Sequence, residues 1–241
     1  MSGFFYNLGK MASPKARQGK WMWQSATGTE AEALQAEYEM GRELAREVKT
    51  RVESEPDPQA GRLLSEIGAK LVNCLVNKAR KFAFEPVKGA EPNAFALPGG
   101  FIFITVPMLK LCEFNRDEIA FTLGHEMAHV IKGHAAERIL TASGLNILSA
   151  AAPAAGRFAP LLRKTGMKFI ASAYSQDNEL ESDEFGFRLA SAAGFNPSGG
   201  VQMLSRLAQL TRNRLTLPLG TYFSSHPSFD IRIRNLKNLR T

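Results

Sequence analysis

The chain is short of cysteine. Its 241 residues include only 2, Cys74 and Cys112, far apart and in no C-x-x-C spacing. That excludes a disulfide framework and a cysteine-built zinc knuckle, and leaves two small thiols suited to a reducing compartment. Acid is missing from the first 29 residues, which carry Lys10, Lys15, Arg17 and Lys20. No secretory signal is visible there: Phe4-Phe5-Tyr6 is too short for an apolar core and no basic segment precedes it. Long apolar runs are also scarce. The longest uncharged run, Ile139 to Gly156, is rich in Ala, Ser, Thr and Asn and holds Pro153. It reads as a loop and short helix covering a site rather than as a membrane span. No internal repeat or low-complexity stretch occurs.

What is present suffices for one large domain. Hydrophobic residues make up 44% of the chain, enough to bury a real core. The net charge of +7 is concentrated at the ends, in the basic start and in Arg232, Arg234, Lys237 and Arg240. Such charge can draw the chain to anionic membrane surfaces; no nucleic acid partner is expected. The expected division is a basic N-terminal arm, 1–28, and a domain over 29–241. Trp21 and Trp23 suit an arm docked on that domain.

The elements follow from local signals. Thr29 with Glu32 forms a capping box that opens a helix with Leu34, Tyr38, Leu44, Val48 and Val52 on one stripe, ended by Pro56 and Pro58. A second helix is expected from about Gln59 to Asn77, and a strand over Lys81 to Val87. Asn93 to Thr105 reads as a hairpin, with Pro98-Gly99 at a tight turn that needs a positive φ at the glycine. Asn93, Ala94, Phe95 and Ala96 form a candidate edge strand that could hold an extended peptide by strand pairing. An ordinary hairpin that buries its aromatics explains the same residues.

The chemistry is concentrated in Gly124-His125-Glu126-Met127-Ala128-His129, an H-E-x-x-H string. Asn115 caps a helix expected over Arg116 to Ile139, with Glu118 in the place of a capping box. Four residues apart on one face, His125 and His129 can point two imidazoles at one zinc ion. Glu126 then sits beside the position left for water, as the base of a metal-assisted hydrolysis. Gly124 leaves room for another backbone, for a substrate strand, or for close packing. His134 is nine residues from His125; at about 100° per residue an unbroken helix puts it on the opposite face, off the metal.

A third protein ligand must come from elsewhere. Of three E-x-x-x-D strings, Glu53 to Asp57 contains Pro56, and Glu113 to Asp117 straddles the start of the metal helix. Glu179 to Asp183 lies on a later helix, with both acids on one face. Glu179 can complete a site of two histidines and one glutamate. Asp183 can accept the free N–H of a ligand histidine, while Glu181 points away as a surface charge.

These residues together resemble a known family, the HtpX-like, CAAX prenyl protease and BepA-like zinc metalloendopeptidases. The likeness rests on Asn93 to Gly100, on Asp117-Glu118-Ile119-Ala120 leading into His125 to His129, on Glu179 to Asp183, and on His226-Pro227 followed by Arg232. It implies an α+β, mainly helical, zincin-like (gluzincin) domain with a small β-sheet and hairpin. It implies one Zn2+ on His125, His129 and Glu179, catalysis by Glu126, and cleavage of misfolded or damaged polypeptides. His226 is placed near the site, as a donor to the oxyanion or a group that approaches the metal; packing at a helix start is the other reading. Arg232 would hold the final helix or pair with an acid near the site. The alternative function is a catalytically weak module that binds unfolded proteins or anionic membranes. A cytoplasmic location is expected, with a peripheral membrane or organellar one as the alternative.

Overall fold

The computed structural model describes residues 29–51, 57–142, 174–213 and 228–239. The N-terminal arm 1–28, most of the proposed cover (143–156) and His226 lie outside them. The described chain is mainly helical with one three-stranded sheet, the architecture expected from the sequence. Among the described residues, no helix is long and apolar enough to cross a membrane.

Helix α1, Glu30–Arg51, starts on the expected box: Glu32 N–H donates to Thr29 Oγ1 at 3.2 Å, and Thr29 Oγ1 donates to Glu32 Oε2 at 2.8 Å. Its buried face is Ala33, Glu37, Met40, Leu44, Ala45 and Val48, one heptad-like stripe. Helix α2, Pro58–Asn73, begins on Asp57, whose Oδ1 accepts from Gln59 N and Ala60 N. It stops four residues before the expected end. Lys78 Nζ caps it there, donating to the carbonyls of Val72 and Asn73 at 2.6 and 2.8 Å.

Strands β1 (Ala83–Val87), β2 (Ala94–Leu97) and β3 (Phe101–Thr105) pair in the order β1-β3-β2. β1 runs parallel to β3, and β2 antiparallel to it, with Phe95 opposite Phe103. The hairpin turn, Pro98–Gly100, has the required positive φ, 73° at Gly99, and a second at Gly100, 92°. Helix α1 packs on this turn so closely that a Cβ on Gly99 would lie 2.6 Å from Tyr38 Cα. Glu37 stabilises the contact: its Oε1 accepts from Gly99 N–H at 3.1 Å, and both oxygens accept from Arg80 Nη1 at 2.7 Å.

A short helix α3, Val106–Leu111, leads to α4, Arg116–Ile131, capped as expected by Asn115, whose Oδ1 accepts from Asp117 N and Glu118 N. Glu118 does not complete a capping box. It is buried, and Arg206 Nε donates to it at 3.3 Å, tying α4 to a later helix. α4 also ends earlier than Ile139. Gly133, at φ 81°, turns the chain, and α5, His134–Ala142, starts in a new direction. Helices α6 (Gln176–Ala192), α7 (Ser198–Asn213) and α8 (Phe229–Asn238) complete the described fold.

The main core lies among α2, the sheet, α4, α6 and α7, built on Leu64, Ile67, Leu71, Ile102, Phe121, Leu123 and Leu204. α4 runs through its middle and is buried from Glu118 to Val130. Its site residues are therefore held by packing on all sides rather than by the helix alone.

Candidate metal centre

Helix α4 crosses α6 where two glycines meet. A Cβ on Gly124 would lie 3.1 Å from Gly186 Cα, and one on Gly186 would lie 2.7 Å from His125 N. Of the three uses open to Gly124, the structure shows the approach of another backbone. This contact lets α6 bring Glu179 and Asp183 against the histidines of α4. Gly186→Ala is expected to lower stability by about 1–3 kcal/mol and to weaken metal binding, because His125 must shift. Melting curves and metal titration check this against Gly61→Ala, where a Cβ meets nothing within 4 Å.

The donor atoms converge. His125 Nε2 and His129 Nε2 are 3.1 Å apart. Glu179 Oε2 is 3.6 Å from His125 Nε2, and Glu179 Oε1 is 3.5 Å from His129 Nε2. Donors at tetrahedral angles about zinc, each some 2.0–2.2 Å from it, lie about 3.3–3.6 Å from one another. The triad therefore fits one such ion in both spacing and chemistry, with two imidazoles and a carboxylate. Among the described residues, His125, His129 and Glu179 form the one His/Cys/Asp/Glu group of this kind. Glu126, 5% exposed, lies on the same helix between the histidines.

Around the donors lies a second layer. Asp183 Oδ1 is 2.9 Å from His125 Nδ1, the side of the ring that faces away from the triad. Asp183 is itself clamped from α8 by Arg232, whose Nε and Nη2 donate to its two oxygens at 2.7 and 2.6 Å. Arg232 Nη1 also lies 3.0 Å from Glu179 Oε2. Arg232, 1% exposed, thus fulfils both sequence readings at once, seating the last helix and pairing with acids of the site.

These contacts set the charge states. Burial pushes the Asp183 carboxyl up, but the Arg232 charge and hydrogen bonds, with His125, outweigh it and hold the group below its usual range. For His125, burial disfavours the imidazolium. Asp183 and Glu179 reverse that and leave its pKa above normal. In the metal-free protein the anionic neighbours thus favour the protonated ring. His129 is depressed well below the ordinary value, chiefly by burial.

Several neighbours were not legible in the sequence. His134, expected opposite His125 on an unbroken helix, is instead beside His129, because Gly133 ends α4; a glycine after the last apolar turn was the signal for that stop. Glu181 is half-buried and paired with Lys132 and His134, not a free surface charge. Burial raises its carboxyl, and those two partners outweigh the effect and leave it below normal. The Tyr174 ring stacks on His129 with centroids 3.7 Å apart and planes 11° apart. Arg138 packs over Tyr174 and donates from Nη2 to the Ala96 carbonyl at 3.0 Å, touching β2 from its outer edge.

β2 itself lies at the sheet edge, packed near α4. Thr105 N–H bonds Asn93 O, so by antiparallel alternation the Ala94 and Ala96 backbone groups face outward. All four residues of β2 are buried.

An H-E-x-x-H helix whose donors are completed by a glutamate from a later helix defines a class, the gluzincin type of metalloprotease site. The chain's place within that class is given by comparison: residues 58–240 match the model of Peptidase family M48, and the chain belongs to that family. It is 29% identical to the Escherichia coli (strain K12) metalloprotease LoiP over 153 residues, 61% of this chain and 58% of that protein. It is 32% identical over 158 residues to the mitochondrial metalloendopeptidase OMA1 of Saccharomyces cerevisiae, covering 61% of this chain and 43% of that one. With the Escherichia coli (strain K12) beta-barrel assembly-enhancing protease, identity is 24% over 213 residues, 84% of this chain and 43% of the other. The chain thus spans about half the length of the curated relatives it matches.

Proposed function

We propose that the chain is a zinc-dependent metalloendopeptidase domain that hydrolyses peptide bonds of misfolded or damaged polypeptides. The observation that carries this is the convergence of donor atoms of His125, His129 and Glu179 within 4.8 Å of one another, the two histidines on the helix that also bears Glu126 and the glutamate brought to them by α6. Those three side chains would hold the ion, one per chain. When bound there, zinc supplies Lewis acidity, which polarises a carbonyl and lets water react near neutral pH.

The chain's own groups do the rest. Glu126 takes the proton of the attacking water and returns it to the leaving amine. Asp183 accepts from His125 Nδ1 and so keeps Nε2 directed at the triad. Ala94 pairs the substrate backbone at the outer edge of β2, next to the Ala96 carbonyl that Arg138 already holds. His226, outside the described residues, is assigned a hydrogen bond to the oxyanion. One relative is named for enhancing β-barrel assembly. Substrates with unpaired strands, as in an unfolded barrel protein, suit recognition by a sheet edge. The basic arm 1–28 is assigned peripheral contact with anionic membranes, and the domain a cytoplasmic or organellar setting.

Metal analysis coupled to digestion of a peptide library tests the reading. The purified protein should bind zinc in one-to-one ratio and cut within peptides, and a chelator should stop the cutting. Stoichiometric zinc with an intact library would refute the enzymatic role.

A further inference from the structure

His134 has no place in the donor triad, yet it is only 3% exposed and lies directly behind it. The turn at Gly133 brings His134 Nδ1 to 3.1 Å from His129 Nδ1. Its other nitrogen, Nε2, is 3.4 Å from Glu181 Oε2. Lys132 Nζ donates to the second oxygen of Glu181 at 2.7 Å. Ser182 Oγ also approaches His129 Nδ1, at the longer distance of 3.4 Å.

Hydrogen accounting gives this row a direction. A metal ligand nitrogen carries no hydrogen, so a neutral His129 that offers Nε2 carries its hydrogen on Nδ1. The nitrogen facing it, His134 Nδ1, must then be bare to accept. The one hydrogen of a neutral His134 is therefore on Nε2, where Glu181 Oε2 accepts it. Stacking on Tyr174 fixes the plane of the His129 ring. Stacking is indifferent to a half-turn of that ring about its Cβ–Cγ bond, which would replace Nδ1 by a carbon. The hydrogen bond is not.

We propose that His134 is a positioning residue: the row His129–His134–Glu181–Lys132 holds the second histidine ligand in one orientation and one tautomer. This rests on the reading of His125, His129 and Glu179 as metal ligands. The two ligand histidines are then supported unequally. His125 faces a carboxylate directly, at 2.9 Å, whereas His129 reaches one only through a neutral ring. A carboxylate partner raises ligand basicity. His129 is accordingly the less basic of the two.

The test compares the unaltered protein with His134→Phe and His134→Gln. Zinc affinity is read by competition with a chromophoric chelator, and coordination by the visible spectrum of the cobalt-substituted protein. Melting of the metal-free forms separates loss of fold from loss of metal. His134→Phe should bind zinc about 10–100-fold more weakly and change the cobalt spectrum. His134→Gln, whose amide oxygen can accept the same hydrogen, should recover most of the affinity. In the zinc-loaded unaltered protein, long-range proton–nitrogen spectra should show hydrogen on His129 Nδ1 and on His134 Nε2. A hydrogen on His134 Nδ1, or unchanged zinc affinity in His134→Phe, would overturn the relay and leave the metal site standing. An unaltered protein that takes up no zinc would overturn both. Where His134→Phe does not fold, the tautomers of the unaltered protein decide.

Discussion

Glu126→Gln is expected to bind zinc as tightly as the unaltered protein and to cleave peptides on the order of 10²–10⁴ times more slowly. The amide keeps the size of the side chain and its place on α4, so the three donors are undisturbed. It cannot take a proton from water at any ordinary pH. Proton transfer is the step that a positioned carboxylate supplies, and nothing in the donor set replaces it: both histidine Nε2 atoms and the Glu179 carboxylate converge on one another and would be taken up as donors. The measurement is kcat on a cleaved library peptide, with zinc content determined on the same sample. A variant that retains zinc and keeps the full rate would remove Glu126 from the chemistry. A variant that loses zinc would show that Glu126 helps to hold the cage.

Arg232→Met should lower the stability of the metal-free protein by about 3–5 kcal/mol, the usual cost of stripping one partner from a buried ion pair. Methionine has nearly the length of the arginine stem, so little of the loss comes from a cavity. The loss arises because the Asp183 and Glu179 carboxylates, both fully buried, lose the guanidinium that touches them. Urea unfolding at neutral pH measures it. A deficit under about 1 kcal/mol would mean that the carboxylates find another counter-charge. The pH dependence has a definite sign. The folded Asp183 carboxyl lies below its ordinary 3.8, so the stabilisation from its pairing is complete at neutral pH. It is lost as the pH falls through that lowered value, where the folded carboxylate takes up a proton. The gap between the two proteins should therefore be wide at pH 7 and narrow only below about pH 4.

The sequence showed the parts of this site that are written locally. Four-residue spacing places His125 beside His129 and Glu179 beside Asp183, whatever the helices later pack against. Pro98-Gly99 announces its turn because few other pairs adopt those dihedrals. The capping residues Thr29 and Asn115 were legible for the same reason. Relations across segments were not. Counting residues round an unbroken helix put His134 on the far side, but a single left-handed glycine ended that helix and returned the ring to His129. Glu181 looked solvated because its partners, Lys132 and His134, lie 49 and 47 positions away in the chain and meet it only through the crossing of α4 and α6. Arg232 was readable as a partner for some acid; that it takes two, Asp183 and Glu179, depends on where α8 docks.

The fork made by Arg232 ties the occupancy of the cage to the seating of the last helix. Any ion that tightens the grip of Glu179 changes the electrostatic pull on a guanidinium that belongs to α8. By reciprocity, if the ion favours the seating of α8 by some factor, seating α8 raises the ion's affinity by that same factor. Amide hydrogen exchange along 229–238 would thus report zinc uptake from outside the cage, without any label on the ligands themselves.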